Sequence, residues 1–403
     1  MNKEAAKSIS GVCSSLSAGG YSVKLRGFSA LDLYFGLPAL PCIWVQTNAD
    51  ITALARFFEN LRFPGVEIAD GAVDTSDGTC YFRCLDGEEH RKSNYSFPLL
   101  SFFYDWQTRR FEDPLGVYPQ LKELRSKKGI LLEDGLNQTL PFNFNSLFDC
   151  GGYVEETYSV IMIEAMFLAR YGIGTKTLRY SPGPPPIPEM QRAFLCCLMA
   201  SHRPDLGLEF LKHSGFLDEL WPELASLDNV DHSKEFHPEG NVWNHTLETF
   251  RYRKSAASGV FDLRLSLGLL LHDVGKPVSA SFGSRRFDGH AELGAQAAVR
   301  FLERLEFEPP LIQDVFYLVK NHMLPAALKR LPLAKTKEIM ASPLFPTLME
   351  LYRCDESSSF KGLDDYYENS AVYQAYRKNV KNPYRSADGK KIGKRELYIS
   401  YRK

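Results

Sequence analysis

Residues 269–277 read LLLHDVGKP, an apolar run that stops abruptly at His272 and Asp273 and continues through Gly275 and Lys276. A segment of this composition is built for burial, yet polar and charged groups are rarely buried unless they are paired or hold a metal. The fold must therefore bring partners to this point. At a helix end, consecutive residues project about 100° apart around the axis. His272 can then face a ligand pocket while Asp273 joins the same ion or bridges to a second.

The candidate partners lie in the same half of the chain. Helical spacing of apolar residues predicts helices over 241–254, 261–272, 290–305 and 311–322. These segments carry His245, His272, His290 and His322, and Asp355 follows in LYRCDESSS. Imidazoles and carboxylates without thiolates suit one or two divalent ions of Fe, Mn, Co, Ni, Zn or Mg, not a cysteine-rich structural zinc site. Taken singly, His290 or His322 reads more readily as a hydrogen-bonded core residue than as a ligand, and Asp273 can read as a helix C-terminal turn residue before Gly275. The order His, His-Asp, His, His, Asp favours a metal set. His90, His202, His213 and His232 fall outside that order and are read as surface or packing residues.

A length of 403 residues implies two or three domains. Residues 20 to about 140 alternate strand-like runs, such as 42–45 and 80–84, with Gly, Pro and Asn/Asp turns and a helical stretch at 51–61. That is an α+β pattern. Helical spacing takes over at 154–171, is interrupted by SPGPPPIP at 181–188, and resumes from 189 onward. The expected division is an α+β head at 1–140, an all-α neck with a proline-rich connector at 141–235, an all-α domain at 236–365 and a basic tail at 366–403.

Composition narrows the function classes. With a net charge of −1, no global field draws the chain to nucleic acid or membrane, so binding of that kind needs a local patch. Hydrophobic and charged fractions of 44% and 24% are those of a soluble protein, and no apolar run reaches the ~20 residues of a membrane span. The N-terminus lacks the apolar core of a secretory signal, and the eight cysteines are scattered, which points to a reducing cytoplasm. The segment 376–403 holds ten Lys or Arg against two acids, with tyrosines interleaved. It reads either as an RNA-tracking arm or, in preference, as a solvated and partly disordered terminus.

The HDxGK stretch, with an upstream histidine and a downstream aspartate, resembles the HD superfamily of metal-dependent phosphohydrolases. More narrowly, HPEGNVWNHTLETF at 237–250, LGLLLHDVGKP and FDGHAELGAQAA together resemble the HD region of bacterial CCA-adding enzymes and poly(A) polymerases, that is, the tRNA nucleotidyltransferase family. The resemblance implies metal ligands His245, His272, Asp273 and Asp355, with His290 and His322 at second-metal positions. It also implies that Lys276, with Arg285 or Arg286, meets a substrate phosphate. Asp273 would position the ion and is the candidate acceptor for a water proton, and Lys276 would offset charge on the phosphate.

The first half then resembles a nucleotidyltransferase head. LRGFSALDLYFG at 25–36 keeps Gly27, Ser29, Asp32 and Gly36 of the family's glycine-rich loop, with Phe28 and Leu31 replacing a glycine and an arginine. In PCIWVQTNA at 41–49, Cys42 and Trp44 stand where the metal-binding aspartates belong. Tyr95, Ser96, Pro98 and Leu100 replace Arg, Asp, Thr and Asn of a further motif, and FEDPLGVYPQLKE at 111–123 keeps its Asp-Pro-x-Gly turn. Val160, Ile163 and Met166 replace the arginines of the nucleotide-selecting helix. Paired carboxylates are required for two-metal nucleotidyl transfer, and Asp32, Asp50 and Asp86 are the remaining candidates.

The resemblance thus implies an HD-type phosphohydrolase or phosphodiesterase acting on a nucleotide, a 2′,3′-cyclic phosphate or an RNA end, with tRNA as one such partner and a catalytically inactive head. The alternatives are a tRNA nucleotidyltransferase or poly(A) polymerase with an unusual active site, and a non-catalytic RNA-binding or regulatory protein with a structural metal.

Overall fold

The computed structural model describes residues 8–66, 69–84, 98–133, 157–174, 183–231, 240–282, 287–359, 362–382 and 384–391. The chain forms two units, Met1–Phe216 with Ser255–Phe261, and Leu217–Lys254 with Asp262–Lys403.

The first unit is built on a seven-stranded sheet: β1 (Val23–Arg26), β2 (Cys42–Thr47), β3 (Leu61–Arg62), β4 (Gly71–Thr75), β5 (Gly78–Cys84), β6 (Phe103–Asp105) and β7 (Arg110–Glu112). Its order is β3-β4-β5-β2-β1-β6-β7. The β2/β5 pair is parallel and the other pairs are antiparallel. Side chains alternate across β2. Ile43 and Val45 enter a core with Val12, Leu16, Leu54, Phe58 and Phe82, which the helices Ile9–Ala18 and Ile51–Phe57 help to form. A second core gathers Leu31, Phe35, Phe102, Leu121, Phe167 and Tyr171 around the helices Phe28–Phe35 and Thr157–Tyr171.

The residues that survive in the glycine-rich loop have structural duties. Gly27 adopts φ 58°, ψ −133° before the helix Phe28–Phe35, and Gly36 closes that helix in the left-handed region, where a Cβ is costly. Ser29 Oγ accepts the Trp44 N–H at 3.3 Å. Asp32 Oδ1 accepts from Arg170 Nε at 3.0 Å and from the Tyr171 hydroxyl at 2.8 Å.

The second unit is helical. The helix Leu263–Leu271 starts at Asp262, whose carboxylate accepts the Arg264 N–H. Leu265, Leu267, Leu269, Leu270 and Leu271 are all buried. A helix that is apolar on every side belongs in the middle of a bundle, and this one packs on the helices Pro309–Asn321 and Phe345–Ser357. Gly268 makes that possible: a Cβ there would lie 3.0 Å from a Leu351 methyl and 3.1 Å from one of Leu318.

Three divisions drawn from sequence fall differently in the structure. The helix Thr157–Tyr171 packs with Phe28, Leu31 and Phe35, so much of the segment expected as a separate neck shares the head's core. The proline-rich interruption ends earlier than expected: Pro188 is the first residue of the helix Pro188–Met199, a position where its missing N–H costs nothing. The line at 365/366 cuts the helix Asp364–Lys381, whose Tyr373 is buried against Phe345 with ring centroids 4.5 Å apart. The opening of the basic segment is therefore packed helix, not a disordered end, and residues 392–403 lie outside the described residues.

Candidate metal centre

Each ligand candidate is held by a local device that the sequence supplies. Asn241 accepts the Asn244 N–H at 2.9 Å and so starts the helix Val242–Thr249, which carries His245 with 1% of its surface exposed. The helix Leu263–Leu271 ends where His272 and Asp273 begin, each 1% exposed. Gly275 follows with φ −86°, which is not a left-handed cap. Its role is close approach. A Cβ on Gly275 would meet the His290 carbonyl oxygen at 2.1 Å and the Gly294 nitrogen at 2.4 Å, so glycine lets the first turn of the helix His290–Arg304 lie against the His-Asp turn.

The predicted set converges. His245 Nε2 lies 2.9 Å from Asp355 Oδ1 and 3.9 Å from Asp273 Oδ2. His272 Nε2 lies 3.2 Å from Asp273 Oδ2 and 4.0 Å from Asp355 Oδ1. On the other carboxylate oxygen, Asp273 Oδ1 is 3.6 Å from His290 Nε2 and 3.9 Å from His322 Nε2. Two ligand groups result, His245/His272/Asp273 and Asp273/His290/His322, with Asp273 common to both. Asp355 adds a carboxylate to the first, its side chain 24% exposed.

The imidazole hydrogens are set by their acceptors. His272 Nδ1 is 2.8 Å from the Leu269 carbonyl, His290 Nδ1 is 2.8 Å from that of Phe287, and His322 Nδ1 is 2.7 Å from that of Val319. A carbonyl oxygen only accepts, so each Nδ1 carries the hydrogen and each Nε2 turns a lone pair inward. His245 Nδ1 is 3.2 Å from the Ser358 hydroxyl oxygen. Phe287 supplies its carbonyl from a left-handed conformation, φ 53°, a strained state for a bulky side chain.

The shifts of His290 and His322 agree with this assignment. Burial pushes the His290 and His322 imidazoles below their usual range, His322 to about 3, so both are neutral near pH 7. For Asp273, burial works upward, but His272 and Lys276 outweigh it and hold the carboxyl well below the ordinary carboxylate range. Asp355 is likewise lowered: burial is outweighed when His245 and His272 carry ring protons toward it, and with both Nε2 atoms unprotonated a bound cation would take their place.

The donors fit a divalent ion. His272 Nε2 is buried and makes no hydrogen bond, although a carboxylate oxygen lies 3.2 Å away. An acceptor nitrogen beside an acceptor oxygen is satisfied by a shared cation. Four imidazoles and two carboxylates, with no thiolate, keep Mn, Fe, Co, Ni, Zn and Mg as the matching metals. Among the described residues, both ligand groups fall in the second unit and none in the head.

The remaining expected site residues divide. Lys276 Nζ contacts Asp273 Oδ2 at 2.6 Å, on the edge of the centre. Arg285 and Arg286 lie outside the described residues. Sequence reasoning missed Ser358, since three consecutive serines at 357–359 carry no signal of which one reaches a histidine 113 positions earlier. It also missed Gly294, which receives Gly275.

In the head, the positions expected for catalytic carboxylates are closed by packing. Cys42 and Trp44 share one face of β2, and Trp44 stacks on Tyr81 of β5 at 4.6 Å. The Tyr81 hydroxyl donates to Glu189 at 3.0 Å, and Arg62 Nη1 pairs with the same carboxylate at 2.5 Å. Burial and the Cys197 thiol push the Cys42 thiol well above its usual range, the contact with Cys197 being the larger effect. Val160 and Met166 are buried, and Ile163 packs against the core that holds Val160. Asp50 caps the helix Ile51–Phe57 by accepting the Ala53 N–H, and Asp86, Tyr95 and Ser96 lie outside the described residues.

Part of the second unit is similar to a known domain family. Residues 242–349 match the HD domain family, a span that includes His245, His272, Asp273, His290 and His322 and stops short of Asp355. Across 217 residues the chain is 29% identical to a multifunctional CCA protein of Halorhodospira halophila, covering 53% of this chain and 49% of that protein. Across 219 residues it is 31% identical to the CC-adding tRNA nucleotidyltransferase of Thermus thermophilus, covering 53% and 48%. The chain spans about half the length of the curated relatives it matches. A solved CCA-adding enzyme of Bacillus stearothermophilus in complex with CTP aligns over 98% of this chain and 91% of its own, with 12% identity and a TM-score of 0.44. The chain is thus an α/β head followed by helices that include a match to the HD domain, and over about half its length it is similar to a multifunctional CCA protein and a CC-adding tRNA nucleotidyltransferase. Among the described residues, no helix is long and apolar enough to cross a membrane.

Proposed function

We propose that the second unit is a metal-dependent phosphohydrolase acting, in the cytoplasm, on a phosphate ester or phosphodiester of nucleotide type: a nucleotide, a 2′,3′-cyclic phosphate or an RNA end, tRNA included. The observation that carries this reading is Asp273, whose two oxygens face two separate histidine pairs within 4 Å. Divalent ions held by His245, His272, Asp273 and Asp355, and by Asp273, His290 and His322, would supply Lewis acidity toward a phosphoryl oxygen and a water of lowered pKa. The rest is done by the chain. Three backbone carbonyls and Ser358 hold the rings in the ligating tautomer. Asp273, kept ionised by its neighbours, would contribute one oxygen to each ligand group and is a poor proton acceptor, so the base role considered from sequence passes to solvent or substrate. Lys276 neutralises the outer edge of Asp273 Oδ2 and is placed to meet the charge of an entering phosphate. No nucleophilic side chain is needed.

In this reading the head does not transfer nucleotides, because its two metal-ligand positions hold a thiol and an indole, and a thiol or indole does not replace hard oxygen ligands for Mg²⁺. The names of the relatives favour a second reading, a tRNA nucleotidyltransferase with an unusual active site in the head. Two assays on one preparation separate them. Hydrolysis of 2′,3′-cyclic AMP and bis-p-nitrophenyl phosphate, lost in Asp273→Ala, supports the first. Incorporation of labelled CTP or ATP into tRNA, retained in Asp273→Ala, supports the second.

A further inference from the structure

We propose that Ser358 is the positioning residue that turns His245 toward the metal, so that one half of the centre can be weakened without the other. The inference rests on the cluster being a metal centre and is independent of which phosphate ester it cleaves.

Three of the four imidazoles are anchored to the carbonyl three residues before them, at Leu269, Phe287 and Val319. His272 and His322 cap helix ends, where carbonyls are left free, and His290 opens its helix with the Phe287 carbonyl lying before it. Their anchors are backbone and cannot be removed by substitution. His245 is different because it lies inside the helix Val242–Thr249. The carbonyl three residues before it, that of Val242, belongs to the helix and also accepts the Thr246 hydroxyl at 2.9 Å. Its Nδ1 instead reaches Ser358 Oγ at 3.2 Å, across 113 residues of sequence.

The direction of this hydrogen bond follows from the second bond that Ser358 makes. Its hydroxyl donates to the Asp355 carbonyl at 2.6 Å, which leaves the oxygen lone pairs to accept the Nδ1–H of His245. With the hydrogen on Nδ1, the Nε2 lone pair faces Asp355 Oδ1 and Asp273 Oδ2. Ser358 is 7% exposed and His245 1%, so water has little access to take over the acceptor role. A single turn of the helix Phe345–Ser357 and its cap therefore supplies both a carboxylate ligand, Asp355, and the group that orients a second ligand.

Replacing such an outer partner costs ~10–100-fold in metal affinity. The loss should fall on the half made by His245, His272, Asp273 and Asp355. The half made by Asp273, His290 and His322 has only backbone anchors and should be spared. The test is titration of the full chain with Mn²⁺, following free Mn²⁺ by electron paramagnetic resonance, for the wild type, Ser358→Ala, Ser358→Thr and Ser358→Val, with thermal melts in the presence and absence of Mn²⁺. The expected result is two ions on the wild type, one of them weakened about 10–100-fold in the Ala and Val variants, and recovery in Thr. Threonine and valine match in shape and differ in the hydroxyl, so this pair carries the comparison if the alanine variant fails to fold. Equal losses in Thr and Val would assign the effect to packing and overturn the proposal, as would unchanged binding in Ala. A wild type that binds no Mn²⁺ would overturn the metal centre itself, and this inference with it.

Discussion

His290 Nε2 and His322 Nε2 face each other at 3.0 Å, while each ring gives its Nδ1 hydrogen to a backbone carbonyl. Two neutral imidazoles cannot hydrogen-bond when both inner nitrogens are acceptors, and a shared cation removes the repulsion. In the proposed reading the pair marks a second ion position beside the one at His245 and His272. His322→Ala is expected to lower the metal content of Mn²⁺-loaded protein from two ions per chain to one, as read by elemental analysis. Retention of both ions would remove His322 from the ligand set.

Burial lowers the imidazoles of His290 and His322, the latter to about 3. The unfolded chain takes up the His322 proton near pH 6.5 and the folded chain only near pH 3, with His290 shifted in the same direction. Stability tied to them is complete above about pH 6.5 and declines as pH falls toward 3, because the unfolded state binds more protons in that window. Metal-free protein should lose Tm between pH 7 and pH 5, and His322→Ala should show a shallower decline. A Tm independent of pH in this range would contradict the buried neutral imidazoles.

Gly275→Ala tests the close approach of the two turns. Its Cβ would stand 2.1 Å from the His290 carbonyl oxygen and 2.4 Å from the Gly294 nitrogen, and backbone atoms have little room to yield. Overpacking of this kind costs about 1–3 kcal/mol or more. The variant should melt several degrees lower and bind Mn²⁺ more weakly, since His290 must shift. A wild-type melting curve would show that the helix His290–Arg304 is free to slide.

Cys42→Ala should leave phosphodiester hydrolysis within about twofold of wild type and cost on the order of 1 kcal/mol in stability through lost packing. Steady-state rates and a denaturant titration check both parts. A large loss of hydrolysis would mean that the head takes part in the reaction.

The convergence of the candidate residues was legible in sequence because an apolar run ending in His-Asp has few physical solutions, and His245, His290, His322 and Asp355 recur in the helical half around it. The strand-like runs at 42–45 and 80–84, bounded by turn residues, fall within the strands Cys42–Thr47 and Gly78–Cys84. What was not legible depends on contacts between distant residues. Nothing in DESSS distinguishes Ser358 from its neighbours until the helix Phe345–Ser357 is placed beside His245. Gly275 reads as a helix stop, yet its φ of −86° suits any residue, and the demand for glycine comes from Gly294. Glu189 reads as a first-turn acid of a helix, and only the fold shows it joining Arg62 and Tyr81. The helix Asp364–Lys381 was hidden by its charge, since its buried positions are few and include Asn369, which accepts the Lys329 N–H.

The most direct test of the account is hydrolysis of 2′,3′-cyclic AMP and bis-p-nitrophenyl phosphate by Mn²⁺-loaded protein, beside the Asp273→Ala variant and with metal content measured on the same samples. The account predicts turnover that follows bound metal and disappears, together with the metal, in Asp273→Ala while circular dichroism keeps its helical signature. Metal bound through Asp273 with no turnover of either ester, alongside incorporation of labelled CTP into tRNA, would contradict it and place the chemistry in the head.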